Sequence, residues 1–450
     1  TGAMDVGGAV TIADNSTLTC HPFEEGFEAQ IRVDAQELTV TPYATIDATA
    51  KGYPKGYWWN WQATNTAAKV GGSHGGRGSW GNQSEGSSNP VYGNLYDPDT
   101  AGAGGSYNGA GGGVIRLDVE GTVTLQGQVL ADGLLSNSNA AGGSVTIRAD
   151  IITGDGEIGV RGGGISSNGY GTGSGGRVAL LDYTVLAGAF AIEKADTPDF
   201  GVYANGGAAY GSYTGAAGTV FLRPAGADLG TLVISNRDKN SLATVQTELP
   251  AVPVGVLGEG ELQSDSLTIL GETWEPGVWE GVLLTPNREQ GEPTLVDNTR
   301  FEITGNTADT LVIGEGDMTT VAGPGDAYGS IYLFHQLIVR EKAKVFTAAD
   351  LLVTGAGAGV SLENSELTAS RLELADGAVE LQVVDSDLNL GLQGVADLEL
   401  EGASSLAGAD VLHIEGDLTL SGTTAFHHTA QSMLVGGDLV VETDAELLAD

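Results

Sequence analysis

Residues 112–133 read GGVIRLDVEGTVTLQGQVLADG. Apolar side chains take every second place in three short runs, IRLDV, TVTL and QVL. Each run therefore offers one apolar face as a strand, and none keeps a 3.6-residue helical period. Gly121, Gly127 and Asp132-Gly133 fall at the breaks, where turns need residues that tolerate sharp backbone bends. One repeat of three strands is the unit this stretch describes.

Its opening phrase, a glycine pair, a spacer and an apolar-x-apolar run, recurs along the chain. It stands at Gly7-Gly8-Ala9-Val10-Thr11-Ile12, at Gly142-Gly143-Ser144-Val145-Thr146-Ile147 and at Gly175-Gly176-Arg177-Val178-Ala179-Leu180. A weaker copy is Gly218-Thr219-Val220-Phe221-Leu222. Ile115, Val145, Val178 and Val220 are spaced 30, 33 and 42 residues apart, as expected of a fixed strand core with variable loops. Residues 31–52 and 145–164 carry the same three-strand cadence. The expected fold is all-β, a parallel β-helix (β-solenoid) in which each coil pairs with the next. The last third repeats more tightly. Leu351-Leu352-Val353, Leu372-Glu373-Leu374, Leu398-Glu399-Leu400, Leu418-Thr419-Leu420 and Leu439-Val440-Val441 head units 21, 26, 20 and 21 residues apart.

Two stretches break this rhythm and set the expected organisation. Residues 1–52 are N-terminal β-helix rungs, and 53–111 a glycine- and aromatic-rich insertion. Residues 112–261 are rungs with variable loops, and 262–330 a small antiparallel β insertion with turns at Asn306 and Pro324-Gly325. Residues 331–450 are a C-terminal β-helix with rungs of about 21 residues. Strand-like patterns run close to both ends of the sequence, so it reads as a piece of something longer.

Composition narrows the function. The chain carries 58 Asp+Glu against 19 Lys+Arg, a formal net charge of −39, and no Lys or Arg follows Arg371. Such a surface repels phosphate backbones and anionic lipid, so nucleic acid is not an expected partner. No apolar run reaches the length of a helical membrane span, so direct membrane insertion by this stretch is not expected either. A single cysteine, Cys20, leaves no intramolecular disulfide.

The ordered series GGGVIRLDVEGTVTLQGQVLADG, AGGSVTIRADIITGDGEIGVRGGG and GSGGRVALLDY resembles a module of long, repetitive exported bacterial surface and adhesion proteins. The element LTILGETWEPGVWEGVLLTPN with FEITGNTADTLVI is similar to one that follows that module in such proteins. The resemblance covers roughly residues 50–350. It implies an extracellular location, at the cell surface or secreted, and a structural or adhesive role, and it supplies no catalytic residues.

Among chemistry-bearing groups, the aromatic residues of 53–111 stand out. Trp58, Trp59, Trp61 and Trp80 are four of the six tryptophans, and Tyr53, Tyr57, Tyr92, Tyr96 and Tyr107 lie among them. Flat rings beside amides suit a neutral glycan, and Tyr57, Trp58, Trp59, Trp61, Trp80, Tyr92 and Tyr96 are the candidate ligand-binding set, for glycan or protein. The competing reading makes them anchors for a glycine-rich loop that has to borrow a core. Glycine runs such as 101–113 suit extended, closely packed backbone. The i, i+2 pairs Asp97/Asp99 and Asp385/Asp387 would share a face on a strand and are candidate Ca²⁺ ligands, the one cofactor the sequence suggests. No catalytic constellation stands out.

Three functions follow. The first is a stalk, filament or matrix component whose partners are neighbouring surface or matrix proteins, with self-association end to end. The second is glycan binding through 53–111. The third, a polysaccharide lyase or glycosidase, rests on fold analogy alone.

Overall fold

A computed structural model describes the chain except residues 1–3, 29, 64–68, 81–87, 107–108, 135–138, 165–169, 209–213, 270, 272–273, 275–276, 289–298, 376–379, 394–396, 402–403, 408–410, 415–417, 423, 429–431, 443 and 450. The protein is all-β, and the helical turns among the described residues are short 3-10 segments. It forms two compact units, Thr1–Glu248 with Arg340–Lys344, and Leu249–Val339 with Val345–Asp450.

In the first unit, each three-strand repeat pairs in parallel with the next. Gln30–Val40, Val114–Val119, Ser144–Arg148, Arg177–Tyr183 and Thr219–Pro224 lie side by side. Their register aligns Ile31, Ile115, Val145, Val178 and Val220 in one row, and Val33, Leu117, Ile147, Leu180 and Leu222 in another. All ten side chains are buried. Each is worth about 1.5–3 kcal/mol of transfer free energy, which makes these rows a principal hold on the unit. The second strands align Leu38, Val123 and Ile152, and the third strands align Leu18, Ile46, Val129, Ile158 and Val202. The glycine-pair phrase thus predicts the true register of four repeats.

It misplaces the fifth. Strand Met4–Ile12 pairs with Gln30–Val40 so that Val10 faces Leu38 and Ile12 faces Val40. The phrase at 7–12 therefore belongs to the row of Leu38 and Val123, not that of Ile115. The same apolar-x-apolar pattern serves both rows, and nothing in it records which.

Leading into these strands is a layer built almost without side chains. Gly102 N–H donates to Gly112 O at 2.8 Å, Gly112 N–H to Ala141 O at 2.9 Å, and Gly142 N–H to Ser174 O at 3.0 Å. Ser174 N–H in turn reaches Gly72 O at 3.0 Å, and Gly207 N–H reaches Gly173 O at 2.8 Å. The runs at 71–79, 101–106, 109–113, 139–143, 171–176, 204–208 and 214–218 thus bond to one another outside any regular strand. A methyl group on Gly142 would overlap the Val160 carbonyl oxygen, and one on Gly175 the Ala204 carbonyl oxygen. Neither glycine has a left-handed backbone, so close approach, rather than turn geometry, is what demands glycine here. The layer's core is its own backbone, and only in part a borrowed one.

In the second unit, antiparallel pairings link Ser266–Thr268, Thr310–Ile313, Phe301–Asn306, Leu283–Thr285 and Ala327–Phe334. Leu267, Leu284, Ile303, Leu311, Met318 and Tyr328 are buried in its core. Ala327–Phe334 also pairs in parallel with Asp350–Thr354, which carries the chain into the C-terminal repeats. There the five expected unit heads divide between two sheets. Leu351 faces Leu372, whereas Leu398, Leu418 and Leu439 align with Val360 and Leu381. Each short repeat contributes two similar apolar runs, and spacing alone merges them.

Candidate functional site: the aromatic insertion

Strand Arg177–Tyr183 is buried on both faces over its first five residues, which is unusual for a strand whose inner side chains already face a core. The cover is the segment 91–100. Thr146 Oγ1 donates to Pro98 O at 2.8 Å and Ser144 Oγ to Thr100 O at 2.6 Å. Tyr96 meets Phe221 edge to face at 4.9 Å. Asp97 accepts ion pairs from Arg116 at 3.1 Å and from Arg148 at 2.7 Å. Burial pulls the Asp97 carboxyl up, but the two guanidiniums outweigh it and its pKa falls below the ordinary aspartate value.

Under this strap sits a polar keystone that sequence reading missed. Arg177 is fully buried and donates from Nε to Tyr92 O at 3.1 Å and from a terminal nitrogen to Thr219 Oγ1 at 3.1 Å. His74, also fully buried, has Nδ1 2.8 Å from Gly142 O and Nε2 3.0 Å from Thr100 Oγ1. A carbonyl only accepts, so Nδ1 carries the proton and Nε2 accepts from the Thr100 hydroxyl. Burial, reinforced by Arg177, lowers the His74 pKa to about 3, which keeps the ring neutral. Only the odd arginine in GGRVAL, where the companion phrases carry Ala, Val, Ser and Thr, hints at this in the sequence.

The aromatic residues gather around two buried tyrosines. Tyr92 donates its hydroxyl to Ala101 O at 2.7 Å and packs against His74 at 4.9 Å, Trp58 at 5.7 Å and Trp59 at 5.9 Å. Tyr53 packs against Phe23 at 5.4 Å and Trp61 at 5.7 Å. Trp58 and Tyr92 are therefore buried anchors in this structure, and Tyr96 is half-buried with its ring set edge to face on Phe221. Trp59 stacks on Tyr92 with the ring planes 4° apart, which covers one of its faces. Trp59, Trp61 and Trp80 are half-buried, and Tyr57 is exposed. Tyr57 and Trp61 touch at 5.9 Å with planes 59° apart, so they do not form a flat platform. Tyr107 lies outside the described residues.

The acidic pairs are not strand pairs. Asp97 is taken up by arginines while Asp99 is exposed, and neither lies in a strand. Asp385 occupies a left-handed bend (φ 48°) just before strand Asp387–Gln393, so it does not share a strand face with Asp387. No group of three or more His, Cys, Asp or Glu suited to a metal occurs among the described residues. No described helix is long and apolar enough to cross a membrane. No family model, curated protein or solved structure matches the chain.

Proposed function

We propose that the three aligned strand sets are successive coils of a parallel β-helix, and that the chain is a structural or adhesive module of a large exported surface protein. The row Ile31, Ile115, Val145, Val178 and Val220 carries this reading. Its register is kept although the intervening chain ranges from 30 to 84 residues. A scaffold whose core ignores loop length is suited to displaying loops, and the 53–111 insertion occupies the longest interval in this row, between Ile31 and Ile115. Scarce cations and an acidic surface discourage contact with nucleic acid and anionic membranes, so specific contact falls to the insertion. The resemblance to repetitive bacterial surface proteins supports the same role and an extracellular setting.

Two measurements test this. Cryo-electron microscopy or crystallography of the chain should resolve three parallel sheets, each receiving one strand per coil; an antiparallel sandwich would overturn the coil reading. Non-adherent cells displaying the chain should gain attachment to a protein-coated surface, and the purified chain should release no reducing ends from a polysaccharide panel. Unchanged attachment with measurable depolymerisation would overturn the structural role and favour the lyase or glycosidase reading.

A further inference from the structure

Trp61, half-open at the insertion's edge, holds an exposed carboxylate. Glu28 Oε1 accepts from Trp61 Nε1–H at 3.1 Å and from the Tyr53 hydroxyl at 3.2 Å. Both donors fall on one oxygen, and Glu28 itself is exposed, so its second oxygen remains available to a visitor. Tyr57, with 42% of its surface open, leans against Trp61 beside it. Trp61 and Asn60 are both held in the left-handed region, at φ 60° and 52°. A bulky side chain rarely adopts that backbone, and such strain gathers at binding sites. Here it sets Trp61 against both Glu28 and Tyr57.

We propose that Tyr57, Trp61 and Glu28 form a receptor for a cationic side chain, arginine above all, on a partner polypeptide. A guanidinium can lie on a ring face while pairing with a carboxylate, and both halves of that recognition are present. The 59° tilt between the rings suits a compact planar group better than the broad face of a sugar. A chain of net charge −39 also draws cationic partners from a distance. This deepens the adhesive reading by giving the partner's chemistry, and it is tested on the purified chain without any adhesion assay. Failure of cells to attach therefore leaves its outcome untouched.

The probe is the tripeptide acetyl-Gly-Arg-Gly-amide, titrated at physiological salt while the tryptophan indole N–H resonances are followed. Saturable movement of the Trp61 signal is expected, with acetyl-Gly-Gln-Gly-amide and cellohexaose leaving it in place. Glu28→Gln should weaken binding about tenfold, whereas Glu120→Gln, the same charge change at a remote exposed acid, should alter it less than about twofold. Tyr57→Ala should weaken it about threefold, and this exposed position keeps the test decisive if Glu28→Gln disturbs the indole spectrum. Equal losses in Glu28→Gln and Glu120→Gln would reduce the effect to diffuse attraction and overturn the site. A Trp61 response to cellohexaose without one to the arginine peptide would overturn it in favour of a glycan.

Discussion

The aliphatic rows and the glycine layer of the first unit solve the same packing problem in opposite ways. In the rows, Ile147 lies between Leu117 and Leu180, and flexible side chains share the space. Shortening one of them leaves a void into which neighbours partly relax. In the glycine layer, backbone touches backbone, and an added carbon meets a carbonyl oxygen that is itself hydrogen-bonded. The first region fails by subtraction and the second by addition.

That contrast can be broken at its strongest point. Gly175→Ala should destabilise the unit by more than about 4 kcal/mol, beyond the usual cost of overpacking, because the groups the new methyl meets, the Ala204 carbonyl and the Gly218 nitrogen, are main chain. Ile147→Ala should cost about 3 kcal/mol, a typical large-to-small value. Denaturant melts of the two variants check the order, and a glycine variant milder than the isoleucine variant would erase the distinction.

A third experiment probes the keystone that joins the two regions. His74 has a folded pKa of about 3 against about 6.5 unfolded, so between these values the unfolded chain binds more protons. Its contribution is complete above pH 6.5 and is lost as the pH falls, by about 1.4 kcal/mol for each unit. His74→Gln should lower stability at neutral pH and flatten that slope relative to the unsubstituted chain. Parallel slopes would show that His74 is not the group responsible. The smallest effect concerns the strap. Asp97→Asn weakens partly exposed ion pairs to Arg116 and Arg148 and should cost about 1 kcal/mol or less. Its clearer sign is faster amide exchange across 91–100, with the rows unchanged.

What could be read beforehand follows the same division. Period-2 alternation reports which side chains point inward, so Ile115, Val145, Val178 and Val220 were legible as one row. Row identity was not, because the apolar-x-apolar phrase at 7–12 and those at 398, 418 and 439 match more than one column equally well. The aromatic cluster was visible as composition, yet its split into buried anchors and open rings depends on contacts spanning many residues. His74 meets Gly142, 68 positions away, and Arg177 meets Tyr92 at a separation of 85. Trp61 and Glu28 are likewise joined only by the fold. The acidic i, i+2 pairs misled because the sharing of a face holds on a strand, and Asp97, Asp99 and Asp385 sit in bends or irregular chain, with Asp387 alone of the four in a strand.

The glycine layer has a consequence in the gene. Glycine codons share their first two bases, and a coding change at either base introduces a side chain or a stop. At Gly142, Gly143, Gly173, Gly175, Gly176 and Gly218 that side chain would begin inside a neighbouring backbone. The first two nucleotides of these codons should therefore tolerate no missense change in a saturation scan, while the third drifts freely. The aliphatic codons alongside, where Val, Ile and Leu interconvert by single-base steps, should turn over at a far higher rate.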